Sequence, residues 1–159
     1  MPLIIDGYNL LHSIHETNED CDTISDIQLC RIVDIFLTQT GQKGEIIFDG
    51  TGPPDKEKFD NMSKLDVFFA GVAGDADAVI ENKVKASTAP KRLTIVSNDR
   101  RVRQAARAKR AAAIKSNVFW GNLRKQLSRR KTAREPAEKR RGLSESETEQ
   151  WLKFFGLEQ

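Results

Sequence analysis

The sequence contains few of the residues that build disulfide scaffolds, thiolate metal sites or membrane spans. Its 159 residues include two cysteines, Cys21 and Cys30, and two histidines, His12 and His15. Because these residues form no Cys/His cluster with zinc-ligand spacing, we expect reduced thiols and histidines with structural or surface roles. No apolar run approaches the roughly 20 residues that a membrane-spanning helix needs, and the first residues lack the features of a secretory leader. The sequence therefore predicts a cytoplasmic protein without membrane contact.

Charge, in contrast, is abundant and unevenly distributed along the chain. The net charge of +3 is the small difference between 26 Lys and Arg residues and 23 Asp and Glu residues. Residues 1–90 carry 7 basic and 16 acidic side chains, residues 91–159 carry 19 and 7, and the segment 100–141 alone has 16 against 2. This division predicts an acidic site beside a surface that binds a polyanion.

Apolar runs that alternate with amphipathic stretches predict an α/β fold with a mainly parallel central sheet and helices on both faces. Strands are predicted at residues 3–5, 46–48, 65–70 and 93–96, with a turn at Asp6 and Gly7 after the first of them. Residues 109–115 are ambiguous between a helix and a fifth strand. Helices are predicted over 24–40, over 74–86, from 100 onward and from 116 onward. Thr23 or Ser25 can cap the first of them, and Gly41 stands just past its end.

The chain divides into one large domain and a short appendage. Residues 1–127 hold all the predicted strands and form the domain. Residues 128–142 are strongly basic and include Pro136 and Gly142, which predicts a linker or arm. Residues 143–159 begin with a capping box and present Trp151, Phe154 and Phe155, which predicts a C-terminal helix that docks on the domain.

Three of the predicted strands end in an aspartate. Asp6, Asp49 and Asp99 follow the first, second and fourth strands. Because ligands of open parallel sheets bind at the carboxyl ends of the strands, these three carboxylates should meet at one edge. For Asp49, which precedes a glycine, an ordinary turn is an equally good explanation.

Three uncharged polar residues accompany the aspartates. Asn9 follows Asp6 by three residues, and its amide could orient a ligand, a water or Asp6 itself. Ser97 and Asn98 precede Asp99 and are candidates for a similar supporting role, although they could simply cap the helix that follows.

The 74–86 helix contributes further carboxylates. Asp75 and Asp77 stand at its start, and Asp77 and Glu81 share one face because they are four residues apart. Like charges at this spacing destabilise a helix, so a cation is the simplest compensation. Carboxylates without a neighbouring histidine or cysteine suit a hard divalent ion, Mg²⁺ or Mn²⁺. The alternatives are a capping role for Asp75 and an ion pair between Glu81 and Lys85.

The basic segment begins directly after Asp99. Its bias is too strong for an ordinary solvated face, and a phosphate backbone is the natural counter-surface. Tyr8, beside the acidic site, could stack on a base or could equally pack within the protein. The candidate contacts to nucleic acid are Tyr8, Arg100, Arg101, Arg103, Arg107, Lys109, Arg110, Arg124, Lys125, Arg129, Arg130 and Lys131.

Four motifs, in this order, resemble those of the YacP-like branch of NYN domains, which belong to the PIN-like nuclease superfamily. They are IIDGYNLL at 4–11, IFDG at 47–50, ADAVIE at 76–81 and VSNDR at 96–100, and the stretch 143–156 also resembles the end of that branch. The resemblance implies a PIN-like, three-layer α/β/α fold and a metal-dependent endoribonuclease. Its core acids would be Asp6, Asp77 and Asp99, and the residues in support would be Asn9, Asp49 and Glu81.

The sequence departs from the family's pattern at three places. Asp75 stands where a small or hydroxyl residue is expected, and this additional carboxylate could replace a neighbouring ligand, which leaves the metal stoichiometry open. Asn98 stands where serine is usual and can still donate a hydrogen bond. The segment before the fifth strand lacks the expected glycine.

The leading hypothesis is a ribonuclease that hydrolyses RNA phosphodiester bonds with a water activated by Mg²⁺ or Mn²⁺. Its RNA, whether mRNA, rRNA or tRNA, would lie against the surface of 100–141, and the ribosome is a further candidate partner. Catalysis is expected to depend on Asp6, Asp77, Asp99 and Asn9. The candidate metal ligands are Asp6, Asp49, Asp75, Asp77, Glu81 and Asp99.

Two other classes of function stay open. A non-catalytic RNA-binding or ribosome-associated module would have the same basic surface and a vestigial acid site. A phosphotransfer or phosphatase domain would use a strand-end aspartate such as Asp6 as its nucleophile. Two observations argue against the phosphotransfer hypothesis. The position two residues after Asp6 is not a second aspartate, and the basic face is larger than a small substrate would need.

Overall fold

A parallel sheet of five strands forms the centre of the protein. The computed structural model describes residues 2–17, 24–54, 56–72 and 74–141, with side chains up to residue 129. The strands lie in the order β3-β2-β1-β4-β5 and run in the same direction. They are β1 (Leu3–Asp6), β2 (Gly44–Phe48), β3 (Leu65–Phe69), β4 (Thr94–Val96) and β5 (Ala112–Ile114). The predicted parallel sheet is confirmed, and the ambiguous segment 109–115 contains the fifth strand.

Helices cover both faces of the sheet and complete three α/β/α layers, as predicted. They are α1 (Gly7–Thr17), α2 (Asp26–Thr40), α3 (Glu57–Asp60), α4 (Ala76–Ala86), α5 (Arg100–Ala108) and α6 (Ser116–Arg141), with a 3₁₀ turn at Pro90–Arg92. On one face, α1, α2, α3 and α6 pack around Ile5 and Phe48. On the other, α4 and α5 pack around Ile47 and Ile95. Successive strand residues point to opposite faces, so β1, β2, β4 and β5 contribute to both cores, whereas β3 contributes only to the first.

Helix α1 changes the surroundings of Asp6. The sequence predicts a turn at Asp6 and Gly7, and this prediction is wrong, because α1 begins at Gly7 without a break from β1. The apolar residues Leu10 and Ile14 are four apart and fully buried, which is the helical spacing. A β-carbon at Gly7 would lie 2.5 Å from the ring of Phe48, so glycine permits the close contact between α1 and β2.

Helix α2 is fixed at both ends and anchors a distant strand. Ser25, one of the two predicted caps, forms a capping box with Gln28, and Gly41 takes a left-handed conformation with φ of 69°. The carboxylate of Asp34 accepts hydrogen bonds from the backbone N–H groups of residues 63–65, at 2.7 to 3.2 Å. Asp34 therefore fixes the beginning of β3 against α2.

Helix α6 continues to Arg141, so residues 128–141 are helical where the sequence predicts a linker or arm. The alanine, lysine, arginine and glutamate residues of this segment have high helix propensity, whereas the prediction gave more weight to Pro136. The predicted docking helix in residues 143–159 lies outside the described residues. None of the helices in the described ranges is long and apolar enough to cross a membrane.

The sheet has two opposite edges, which we call the C-terminal edge, where the strands end, and the N-terminal edge, where they begin. Asp6, Asp49 and Asp99 lie at or just after the ends of β1, β2 and β4, at the C-terminal edge. The chain builds outward from β1 to β3 on one side and then crosses to β4 on the other. The strand order therefore changes direction beside β1, where open α/β sheets bind their ligands.

Candidate functional site

Asp6 is a buried carboxylate at the end of the central strand, only 5% exposed. The Ser97 hydroxyl donates a hydrogen bond to its Oδ2 at 3.2 Å, and the backbone N–H of Asn9 donates another. Burial raises the pKa of Asp6 to about 7, and the negative charges of Asp77 and Asp49 add to the rise, whereas the two hydrogen bonds oppose it. The charged form of Asp6 therefore needs a compensating cation or proton.

Asp77, in the first turn of α4, lies beside Asp6. Burial raises the pKa of Asp77 to about 6, and the charge of Asp99, a hydrogen bond with Asp99 and the charge of Asp75 raise it further. A hydrogen bond with Asp6 acts in the opposite direction. The structure thus brings together the carboxyl groups of Asp6, Asp77 and Asp99, which we call the acid cluster.

Ser97 and Asp99 connect the acid cluster to the beginning of α5. The Oδ1 atom of Asp99 caps this helix by accepting a hydrogen bond from the N–H of Arg101 at 2.8 Å. The N–H of Asp99 donates to the hydroxyl of Ser97 at 3.0 Å. Because the fully buried Ser97 also reaches Asp6, it holds two members of the acid cluster at a fixed separation.

Asp49 and Asp75 both bind the beginning of α4. The Oδ1 atom of Asp49 accepts a hydrogen bond from the N–H of Ala76 at 2.6 Å. Asp75 is the helix cap, the alternative considered from its sequence position, and its Oδ1 accepts from the N–H of Ala78 at 2.7 Å. These two aspartates position α4 and add negative charge beside Asp6 and Asp77.

Glu81 forms an ion pair with Arg101 and not with Lys85, the partner suggested by the helix spacing. The Nε of Arg101 lies 2.7 Å from Glu81 Oε1, and its Nη2 lies 3.3 Å from Oε2. The two-point contact joins α4 to α5 beside the acid cluster. The sequence predicts other ligands for these side chains, a metal ion for Glu81 and phosphate for Arg101, whereas in the structure they pair with each other.

A second polar network joins three elements around Asn9. Its Oδ1 accepts hydrogen bonds from the N–H of Asn98 and from the hydroxyl of Ser116, both at 2.8 Å. The Oδ1 of Asn98 in turn accepts from the N–H of Ser116 at 2.9 Å and so caps α6. Since only the oxygen of a side-chain amide can accept a hydrogen bond from a backbone N–H, this network fixes the orientation of the Asn9 amide. The contact between Ser116 and Asn9 spans 107 residues, so no local pattern in the sequence indicates that Ser116 supports this site.

The donor chemistry of the acid cluster fits a hard divalent cation. Its potential ligands are carboxylate oxygens, and burial and repulsion disfavour the charged forms of Asp6 and Asp77. Within the described ranges, however, no group of three or more His, Cys, Asp or Glu side chains surrounds a common point closely enough to hold a metal ion. The carboxylates are therefore adjacent, while their side chains are not arranged as a completed coordination sphere.

The predicted basic surface is divided between the two faces of the sheet. Helix α5 lies on one face and α6 on the other. Exposed Arg100 begins α5 near the acid cluster, whereas Lys109 and Arg110 follow its other end, at the N-terminal edge. Other predicted contacts are Arg103 and Arg107 on α5 and Arg124, Lys125 and Arg129 on α6, while the side chains of Arg130 and Lys131 lie outside the described residues.

Tyr8 packs within the protein and is also partly exposed. Its ring makes an edge-to-face contact with Phe48, with 4.9 Å between the ring centres. The residue is still 38% exposed. Part of the ring therefore stays accessible at the C-terminal edge, next to Asp6.

Comparisons with known proteins bear on both fold and family. The family model of the YacP-like NYN domain matches residues 3–155. Among solved structures, Rae1 (YacP) from Bacillus subtilis has a TM-score of 0.70 at 20% identity, covering 98% of this chain and 92% of that one. A tryptophan-to-leucine mutant of Rae1 has a TM-score of 0.66 at 18% identity, with the same coverage. No curated protein matches the chain. At these identities the structural similarity establishes the fold.

Proposed function

The chain belongs to the YacP-like NYN domain family, which has a nuclease-like fold, and from this premise we propose that it is a divalent-metal-dependent endoribonuclease. The observation that carries the proposal is the acid cluster, three interacting carboxyl groups at the point where the strand order changes direction. A cluster with only a structural role would gain nothing from this repulsion. A bound metal ion would offset the repulsion among these carboxylates, and the site would therefore favour binding of the ion.

Asp6, Asp77 and Asp99 are the residues that would hold Mg²⁺ or Mn²⁺. When bound, such an ion activates water and stabilises the leaving oxygen of a phosphodiester. Asn9 supplies an uncharged amide with a fixed orientation near Asp6. Because its Oδ1 is occupied by two donors, its amide N–H groups are left to donate to an anionic substrate.

RNA is the substrate class that the surrounding charges favour. Arg100 and the exposed part of Tyr8 stand at the same edge as the acid cluster, where they can contact phosphate and base. These contacts predict salt-sensitive binding that does not depend on the acid cluster. Binding and cleavage should therefore be separable by mutation.

The test is cleavage of a labelled RNA with Mn²⁺, with Mg²⁺ or with EDTA. We expect wild-type protein to cleave only with a metal ion, and Asp6→Asn and Asp99→Asn to lose cleavage while still binding RNA. Asp66→Asn is the matched control, because Asp66 is exposed on β3 and remote from the acid cluster. Cleavage that survives both substitutions and EDTA refutes the proposal. RNA binding without cleavage by the wild type identifies a non-catalytic RNA-binding module instead.

A further inference from the structure

Six cations gather at the N-terminal edge of the sheet, beside the beginnings of β4 and β5. Helix α4 ends close to this edge, the 3₁₀ turn Pro90–Arg92 leads into β4, and the turn after α5 leads into β5. Because β4 and β5 are paired in parallel, with Thr94 opposite Ala112, these turns are neighbours. We call this group the basic edge; its exposed members are Lys85, Lys91, Arg92, Arg107, Lys109 and Arg110.

The segments that form the basic edge contain no acidic residue, and the nearby carboxylates of Glu45 and Asp66 belong to β2 and β3. Residues 82–98 and 100–115 contain no aspartate or glutamate. None of its six members forms an ion pair within the part of the chain that the structure describes. The nearby Lys83 differs, since its Nζ lies 3.1 Å from Glu45. The basic edge is therefore a concentration of uncompensated positive charge, where a folded domain usually intersperses the two signs.

Helix stabilisation explains only part of this arrangement. Cations in the last turn of a helix interact favourably with its dipole, which accounts for Lys85 and Arg107. It does not account for Lys91 or for Arg110. Arg110 has φ of 64°, a left-handed conformation that strongly favours glycine. A charged side chain at such a position points to a role outside the fold.

A stripe of arginines links the basic edge to the acid cluster. Arg100, Arg103 and Arg107 are spaced by three and four residues, so they lie on one side of α5, while Val102 and Ala106 are buried on the other. Helix α5 has nine residues and so spans about 14 Å. Arg103 is half-buried and its Nε has no hydrogen-bond partner in the described structure. Positive charge thus continues from one edge of the sheet to the other.

We propose that the basic edge is a second RNA-binding surface, which holds the substrate's backbone at the opposite side of the domain from the cleavage site. This inference rests on the proposed function, because the stripe leads to the acid cluster. A chain-like polyanion matches a linear track with an acidic site at one end. A membrane surface or a compact acidic protein would engage the basic edge without the stripe.

The test is a triple substitution that leaves the acid cluster and its contacts intact. Lys91→Gln, Arg92→Gln and Lys109→Gln remove three charges from exposed turns. Binding to a long single-stranded RNA is measured by fluorescence anisotropy in EDTA, over a range of salt concentrations. If all three cations contact phosphate, affinity should fall about 10- to 100-fold near 0.1 M salt, and the slope of log K against log salt should fall by about 2.

The control removes the same number of charges from elsewhere. Arg31→Gln, Lys56→Gln and Lys58→Gln alter exposed residues of α2 and the α3 region. We expect this triple variant to bind RNA with nearly wild-type affinity. An equal loss in both triple variants would show that only net charge matters and would overturn the proposal. An unchanged affinity in the basic-edge variant would overturn it as well.

Two further measurements distinguish the loss of RNA contacts from misfolding and from membrane binding. Arg110→Gly removes a charge and also relieves the backbone strain at a left-handed position. It should therefore lower RNA affinity and raise the melting temperature, which a misfolded variant could not do.

Anionic phosphatidylserine vesicles should compete poorly with RNA, and preferential vesicle binding would overturn the assignment to RNA. If wild-type protein binds RNA through the basic edge but does not cleave it with Mn²⁺, the proposed function fails and this inference stands.

Discussion

Replacing Asp6 with asparagine should stabilise the metal-free protein while it abolishes catalysis. Asp6 is buried next to Asp77, and its charged form is disfavoured by both desolvation and repulsion. Asparagine has nearly the same shape, carries no charge and can still accept the hydrogen bond from Ser97. The substitution therefore removes the unfavourable charge while it can keep the hydrogen bond from Ser97.

The size of the effect follows from the pKa of Asp6, which is about 7 in the folded protein against an ordinary value of 3.8. At about 1.4 kcal/mol per pKa unit, the difference corresponds to a free energy on the order of 4 kcal/mol. Because the folded state binds the proton more tightly, wild-type stability should fall as pH rises from about 4 to about 7 and then level off. Asparagine lacks this titration, so its advantage is largest above pH 7.

Thermal unfolding in EDTA measures this advantage directly. We expect Asp6→Asn to be more stable than the wild type by about 2–4 kcal/mol near pH 8, or roughly 5–10 °C in Tm for a domain of this size. Near pH 5 the difference should shrink by about half or more. The exposed control Asp66→Asn should show neither the stabilisation nor this pH dependence.

Addition of Mn²⁺ should reverse the order of stability. The metal ion binds the folded wild type and stabilises it by about 3 kcal/mol at a concentration 100 times its Kd. Asp6→Asn has lost a ligand and should gain much less. If instead Asp6→Asn is the less stable protein in EDTA near pH 8, Asp6 has a structural role and the reasoning from repulsion is wrong.

Three further substitutions test individual contacts. Ser116→Ala should lower kcat about 10-fold with little change in KM, because the Asn9 amide loses one of the two hydrogen bonds that orient it. Ser116→Thr should restore activity, and a fall in RNA affinity as large as the fall in kcat would contradict the positioning role. Asp34→Ala should destabilise the protein by about 2 kcal/mol in urea unfolding, because three N–H groups lose a charged acceptor, whereas the exposed Asp60→Ala should have little effect. Arg110→Gly should stabilise the protein by about 1 kcal/mol, because glycine adopts the left-handed conformation at this position, with φ of 64°, with less strain than arginine. A lower Tm would refute this account.

Features that depend on local sequence could be predicted, whereas those at junctions could not. Continuous apolar runs identified the strands, since a strand buried on both faces leaves no other pattern. The beginning of α1 was missed because Asp6 and Gly7 are also the residues of an ordinary turn. Only the neighbouring ring of Phe48 explains why glycine stands there, and that contact joins residues 41 positions apart.

At the candidate site, the positions of the charged residues could be predicted, but their ion-pair partners could not. The strand-end positions of Asp6 and Asp99 could be predicted, because parallel strands end at one edge. The ion pair between Glu81 and Arg101 could not, because the spacing rule considers only partners on the same helix and favoured Lys85. This pair has a consequence for the site as a whole. Arg101 is one of the cations near the carboxylates, and it pairs with Glu81. The acid cluster thus keeps its repulsion despite the basic segment that follows it, and a bound cation or a proton is what relieves that repulsion near neutral pH.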